Sequence, residues 1–268
     1  DGTTEKEVDR VPFGRLTKEL EKPAPNASGL VFSHYENESG YPVTVIEKGE
    51  TLYARYAKPV STFEDLLNIN LSPEQNYVLM NHITAGGGAW DEHGLVSWTA
   101  IGANSPRGFS GTFNGNGYKI SVSAKSGTKQ NFGLFSKISG TVYNLSVVGY
   151  FSISGTTDAT ALGAFASEVS ESGRIIDCVS FVRFTVSVKA NRNLSVSGAI
   201  GVNNGLIDGF MTSASGEINI DSDKEFHVGS TVGSNYGTMK NVNQSGRGGS
   251  VYVTLARSLN CNIGSFAG

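Results

Sequence analysis

Four histidines, a short acidic run, one dense glycine cluster and a glycine-rich loop carrying a tryptophan are the residues of this chain whose types could do chemistry. His34, His82, His93 and His227 lie far apart or out of phase. None shares the HxH or HxxxH spacing that brings two imidazoles to one metal, so no zinc motif is expected. INIDSDKEFH (218–227) holds Asp221, Asp223 and Glu225, and the alternate carboxylates of a D-x-D pattern suit calcium. The rest of an EF-hand loop is missing, and a solvated acidic loop is the preferred reading. No G-x-S-x-G elbow occurs, and the many serines show no histidine and acid at triad spacing. No catalytic residue, metal or cofactor is therefore expected. FSGTFNGNGYKIS (109–121) crowds Gly111, Gly115 and Gly117 as a phosphate-cradling loop does, yet neither a helix pattern nor GK[ST] follows. The loop GGGAWDEHGLVSW (86–98) is the candidate binding element, through Trp90, Asp91, Glu92 and His93. An aromatic beside mixed polar groups on a loop can specify a partner. Trp98, with Ile101, is instead expected to close the end of a core.

The elements that must position these residues are β-rich. Charged residues are only 17% of the 268, against 34 glycines, a balance that favours strands and turns over helices. The net charge of −3 leaves no basic field for nucleic acid. No apolar run approaches the roughly 18 residues of a membrane-spanning helix. Cys178 and Cys261 lie far apart and read as free, small apolar residues. Residues 1–10 are polar and expected to be a flexible segment, the start of a chain whose export signal has been removed. Residues 11–58 are expected to form a small β-module, in which VTVIE (43–47) and TLYARY (51–56) make a hairpin around Lys48 and Gly49. Pro59 closes it. Phe63, Leu66 and Leu67 have helical spacing after Ser61 and Thr62, which predicts a short helix over about 62–69. YVLMNHIT (77–84) reads as one strand.

The second half repeats. When Gly140, Gly173, Gly205 and Gly237 are aligned, the spacings are 33, 32 and 32 residues. Val142, Ile175, Ile207 and Met239 then coincide, as do Asn144, Asp177, Gly209 and Asn241. GLFS, GAFA, GAIG and STVG occupy one further equivalent place, and GSFAG (264–268) begins another unit. A period of this length signals stacked repeats. The units hold short alternating runs such as VRFTVSV and no amphipathic helix, so one unit is one coil of a β-solenoid over 59–268. Each coil cannot bury its inner face alone, and stacking supplies the core. Val142, Ile175, Ile207 and Met239 are its expected inner stack. Asn144, Asp177 and Asn241 are expected at a corner, bonding neighbouring coils in preference to holding a ligand. The glycines of 109–121 are then corner residues, needed for positive φ or close approach of the next coil, with Phe109, Phe113 and Ile120 turned inward.

WTAIG (98–102), FSGTFNGNGYKIS and GLFSKISGTVYNLSVVG (133–149) resemble the GLUG-type repeats of bacterial surface proteins, densely over 77–149 and loosely beyond. PNASGLVFSHYENESGYPVTVIEKGETLYARY (25–56) resembles the internalin-type surface repeat, with His34 and Tyr56 in place of its usual tryptophans. Similar solenoid repeats occur in the IgA1-specific metallopeptidases of cocci, whose catalytic HExxH is missing here. These resemblances imply a right-handed parallel β-helix behind a β-grasp-like module. They also imply an exported or cell-surface, adhesin-like protein that binds a host or matrix protein or a glycan. The alternative is a carbohydrate-active β-helix enzyme, a lyase or glycosidase, with converging carboxylates or basic groups in a groove.

Overall fold

Parallel strands stacked coil upon coil make up most of the described residues. The computed structural model describes residues 16–17, 20, 22, 28–46, 51–86, 94–126, 130–245, 251–257 and 261–264. It is a parallel β-solenoid of about five turns. Each complete coil carries a long strand and two short ones. The long strands include Lys119–Ser126, Ser146–Thr157, Arg174–Ala190 and Leu206–Asp221, all paired in parallel. One set of short strands is Ala161–Gly163, Leu194–Ser197, Phe226–Gly229 and Cys261–Gly264. The other is Phe135–Ile138, Ala166–Val169, Ile200–Asn203 and Val232–Asn235.

The register reproduces the spacing of the repeats. Phe113, Val142, Ile175, Ile207 and Met239 follow one another across the coils. Val142, Ile175 and Ile207 are fully buried, and Met239, in the last described coil, is half-buried. Phenylalanines fill the interior between the sheets. Phe109, Phe113, Phe135, Phe165 and Phe210 are buried, with Phe113 5.8 Å from Phe135 and Phe165 5.4 Å from Phe210, both edge-on. Edge-to-face contacts of this kind add to the transfer energy of burying the rings. The four aligned glycines are required by close approach: a Cβ on Gly140 would fall 1.9 Å from the carbonyl oxygen of Gly111.

The N-terminal end of the core is closed by the helix Phe63–Asn68 and a following 3-10 turn, Ile69–Leu71. Thr62 caps it by accepting from the Asp65 backbone N–H, while Asp65 accepts from the Thr62 backbone N–H. This reciprocal pair satisfies two helix N–H groups that would otherwise lack partners. Leu66 and Ile69 are buried, and the ring of Phe63 lies against Trp98.

Three expectations change. TLYARY does not pair with VTVIE. The strand Tyr53–Val60 runs antiparallel to Val31–Glu36, while Val45 bridges Leu16. The turn over Asn37–Gly40, whose amides donate to the Asn37 side chain and carbonyl, returns the chain so that Pro42 bridges Glu36. Residues 48–49 lie outside the described set. YVLMNHIT is two strands, Tyr77–Leu79 and Ile83–Ala85, because the Asn81 side chain donates to the carbonyls of Ser61 and His82 and turns the chain. Finally, the boundary expected between 58 and 59 falls inside one strand. Lys58, Pro59 and Val60 pair in parallel with Tyr77, Val78 and Leu79, and Ala57 and Val60 are buried.

Three outcomes are expected. Ile207→Ala should destabilise by about 2–5 kcal/mol, read as a lowered midpoint in thermal or urea denaturation, because it empties a fully buried site. Met211→Ala, four residues on but facing outward, should leave the midpoint within about 0.5 kcal/mol of the parent. Limited proteolysis of the native chain should spare 57–62. A first cut there would show that the strand Tyr53–Val60 does not hold the two parts together.

Candidate binding surface

Trp90, Asp91, Glu92 and His93 lie outside the described residues, but the strands on either side of their loop are fixed. Ile83–Ala85 and Val96–Trp98 both pair with the single strand Lys119–Ser126, Ala85 opposite Val122 and Val96 opposite Ala124. These two flanking strands thus lie along one long face at neighbouring positions. Trp98 is 2% exposed and donates through Nε1 to the Gly133 carbonyl at 2.9 Å, which makes it the core-closing residue expected.

The repeated polar residues stand at the bend of the long face. Asn144, Asp177, Gly209 and Asn241 adopt φ of 51, 50, 68 and 50°. Asparagine, aspartate and glycine are the residues that visit this left-handed region at least cost. The bend thus requires these residue types without reference to any ligand. Asn241 Nδ2 donates to Asp208 Oδ1 at 2.8 Å, tying one coil to the next. Asp177 is exposed as a residue, yet partial desolvation of its carboxyl, then the neighbouring Asp208 carboxylate, holds its pKa above the ordinary value. Nearby, the Arg174 guanidinium lies 5.5 Å above the Tyr41 ring and links the N-terminal module to this corner.

A serine, a histidine and a glutamate do meet where that module docks. A β-bulge between Phe32 and His34 disturbs the strand alternation, and His34 Nδ1 lies 3.0 Å from Ser33 Oγ. His34 Nε2 is 3.6 Å from Glu36 Oε2, and Arg55 pairs with the same carboxylate. Burial pushes the Glu36 carboxyl up, but the neighbouring His34 ring and the hydrogen-bonded Arg55 guanidinium hold it below the usual range. The serine faces the solenoid and not solvent. Asn114 Nδ2 donates to the Ser33 carbonyl at 2.9 Å and lies 3.2 Å from its Oγ, and the His34 ring packs 4.8 Å from that of buried Tyr143. By residue type this is a nucleophile–base–acid set. By placement it is the polar seam of a junction.

The surface best built for contact was not singled out in the sequence. On the long face, inward and outward residues alternate, and several outward ones are apolar or aromatic. Val148 stands beside Phe181, Val179 beside Met211, and Tyr150 beside Arg183, each pair on adjacent coils. Val148, Val179 and Phe181 are half-buried, Met211 is 38% exposed, and Tyr150 is buried. Arg183 lies 5.5 Å over the Tyr150 ring. Tyrosine, phenylalanine, methionine and arginine are the types enriched where protein surfaces dock. The signal lay in SFVRFTV (180–186), where Val182, Phe184 and Val186 satisfy the inward phase and Phe181 and Arg183 are left over. Among the described residues no group of three or more His, Cys, Asp or Glu side chains comes together that could hold a metal ion.

No family model matches the chain, and no curated protein does. Among solved structures, a crystal structure of a candidate immunoglobulin A1 protease from Bacteroides ovatus is similar, with a TM-score of 0.39 and 14% identity over 80% of this chain and 84% of that one. A likeness at that level says nothing about activity, and the solenoid assignment stands on the strand register above.

The raised Asp177 pKa has a defined sign. A carboxyl that binds its proton more tightly folded than unfolded costs stability as pH rises from the unfolded value through the folded one. Asp177→Asn, which keeps a side chain suited to the left-handed bend, should therefore raise the melting temperature at pH 7. The gain should shrink at about pH 3, below the ordinary aspartate pKa. An equal gain at both pH values would show that ionisation plays no part.

Proposed function

We propose that this chain is a non-enzymatic binding module of an exported or cell-surface bacterial protein, and that it docks a partner on the outer long face of its solenoid. The patch of Val148, Phe181, Met211 and Arg183 carries this reading. It sits on strands locked into a continuous sheet, so its side chains are pre-positioned and little order remains to be imposed on binding. The resemblance of residues 77–149 to GLUG-type surface repeats and of 25–56 to an internalin-type repeat supports the surface setting. The Ser33, His34 and Glu36 set is committed to the junction with the solenoid, which favours binding over catalysis.

The test is binding of the immobilised chain to a panel of purified host extracellular-matrix and mucosal glycoproteins. Binding to at least one is expected. Phe181→Ala with Arg183→Ala should weaken it by about tenfold or more, as loss of central aromatic and arginine contacts does, while the melting temperature holds. Reproducible turnover of a polysaccharide or peptide, abolished by one carboxylate or serine substitution, would overturn the reading.

A further inference from the structure

The outer long face changes character along its strands. Past the apolar patch, Ser154, Ser187, Asn219 and Thr254 stand in register on four successive coils. Thr156, Lys189 and Asp221 form the next outward row. A cavity of about 360 Å³ crosses both rows. Val188 and Ile220 contribute to its lining, and in the coil before them the equivalent residue is Gly155, which has no side chain to fill the space. A second cavity of about 340 Å³ shares Lys189 and Asp221 with the first and extends it toward Asp223 and Lys224.

We infer that this groove binds a linear, neutral glycan lying along the solenoid axis, across the strands. The inference rests on the binding-module reading above and supplies the class of one ligand. Spacing is the first argument. Coils repeat at about 4.8 Å, so the row from Ser154 to Thr254 offers a hydroxyl or amide at each step of that length. An extended chain of β-1,4-linked pyranose rings advances by a similar length per unit. Serine, threonine and asparagine side chains each both donate and accept, which matches a ligand whose hydroxyls do the same. Charge is the third argument. Lys189 and Lys224 stand with Asp221 and Asp223, and Arg257 pairs in register beside Asp221, so charges of both signs are interspersed and the net excess of one is too small to draw a polyion. An extended peptide is the poorer occupant. It binds sheets by adding to an edge through main-chain hydrogen bonds, whereas Arg174–Ala190 and Leu206–Asp221, at the middle of the row, already pair on both sides and present only side chains.

Isothermal titration of the whole chain with β-1,4-linked oligosaccharides of glucose, N-acetylglucosamine and mannose, from one to six units, tests this. At least one series should bind, with affinity that climbs with each unit up to four and then levels off. Ser187→Ala with Asn219→Ala should weaken the best ligand by about tenfold, close to 1.4 kcal/mol, without moving the melting temperature. Lys189→Ala provides a second groove variant, and Phe181→Ala should have no effect. The glycan site is overturned if no series binds at millimolar ligand, if one unit binds as well as four, or if the groove variants bind as the parent does. Matrix-protein binding that persists and depends on Phe181 and Arg183 would then leave the broader reading standing. Loss of both kinds of binding would remove both.

Discussion

Everything in this molecule depends on the in-register parallel pairing of each coil with the next. Parallel pairing places each residue directly beside its counterpart one coil away, at about 4.8 Å. Whatever side chain a position carries, its neighbours along the axis must tolerate it. An inward valine therefore meets isoleucine, as Val142 meets Ile175 and Ile175 meets Ile207. The same pressure fixes the corners. A bend in one coil must bend at the same height in all, so Asn144, Asp177, Gly209 and Asn241 share one backbone conformation despite three different side chains.

That constraint explains how much could be read from the sequence. The period, the inner column and the corner ladder were legible because register copies the same physical demand into each repeat. Gly140, Gly173, Gly205 and Gly237 recur because the neighbouring backbone approaches too closely for a Cβ. The N-terminal part was less legible because it is not repeated. Alternation in VTVIE and TLYARY is equally consistent with several partners, and the pairing of Val31–Glu36 with Tyr53–Val60 is not between the two runs that the Lys48–Gly49 turn signal joins. Proline at 59 looked like a boundary. In the structure it sits in a strand that passes from one pairing partner to another.

The outer face was hidden for a different reason. Register dictates the inward phase strongly and the outward phase weakly, since solvent accepts most side chains. Phe181 and Arg183 were masked by the stronger inward signal of Val182, Phe184 and Val186 around them. The seam of Ser33, His34 and Glu36 was hidden because it depends on Asn114 and Tyr143, far along the chain, closing over it. Residue types suited to catalysis and residue types suited to a buried polar junction are the same, and only the covering residues distinguish them.

The strand Tyr53–Val60 has two kinds of partner: antiparallel to Val31–Glu36 over most of its length, and parallel to Tyr77–Leu79 at its end. Mechanical load gives this arrangement a meaning that equilibrium stability does not. Tension drawn along that strand acts on its hydrogen bonds sideways, and several must yield together. Tension along the solenoid axis acts differently, because the strands lie across it and the bonds between coils can open a few at a time. Of the two directions of pull, the one carried by the junction strand is resisted collectively, and the one carried by the stack is resisted coil by coil.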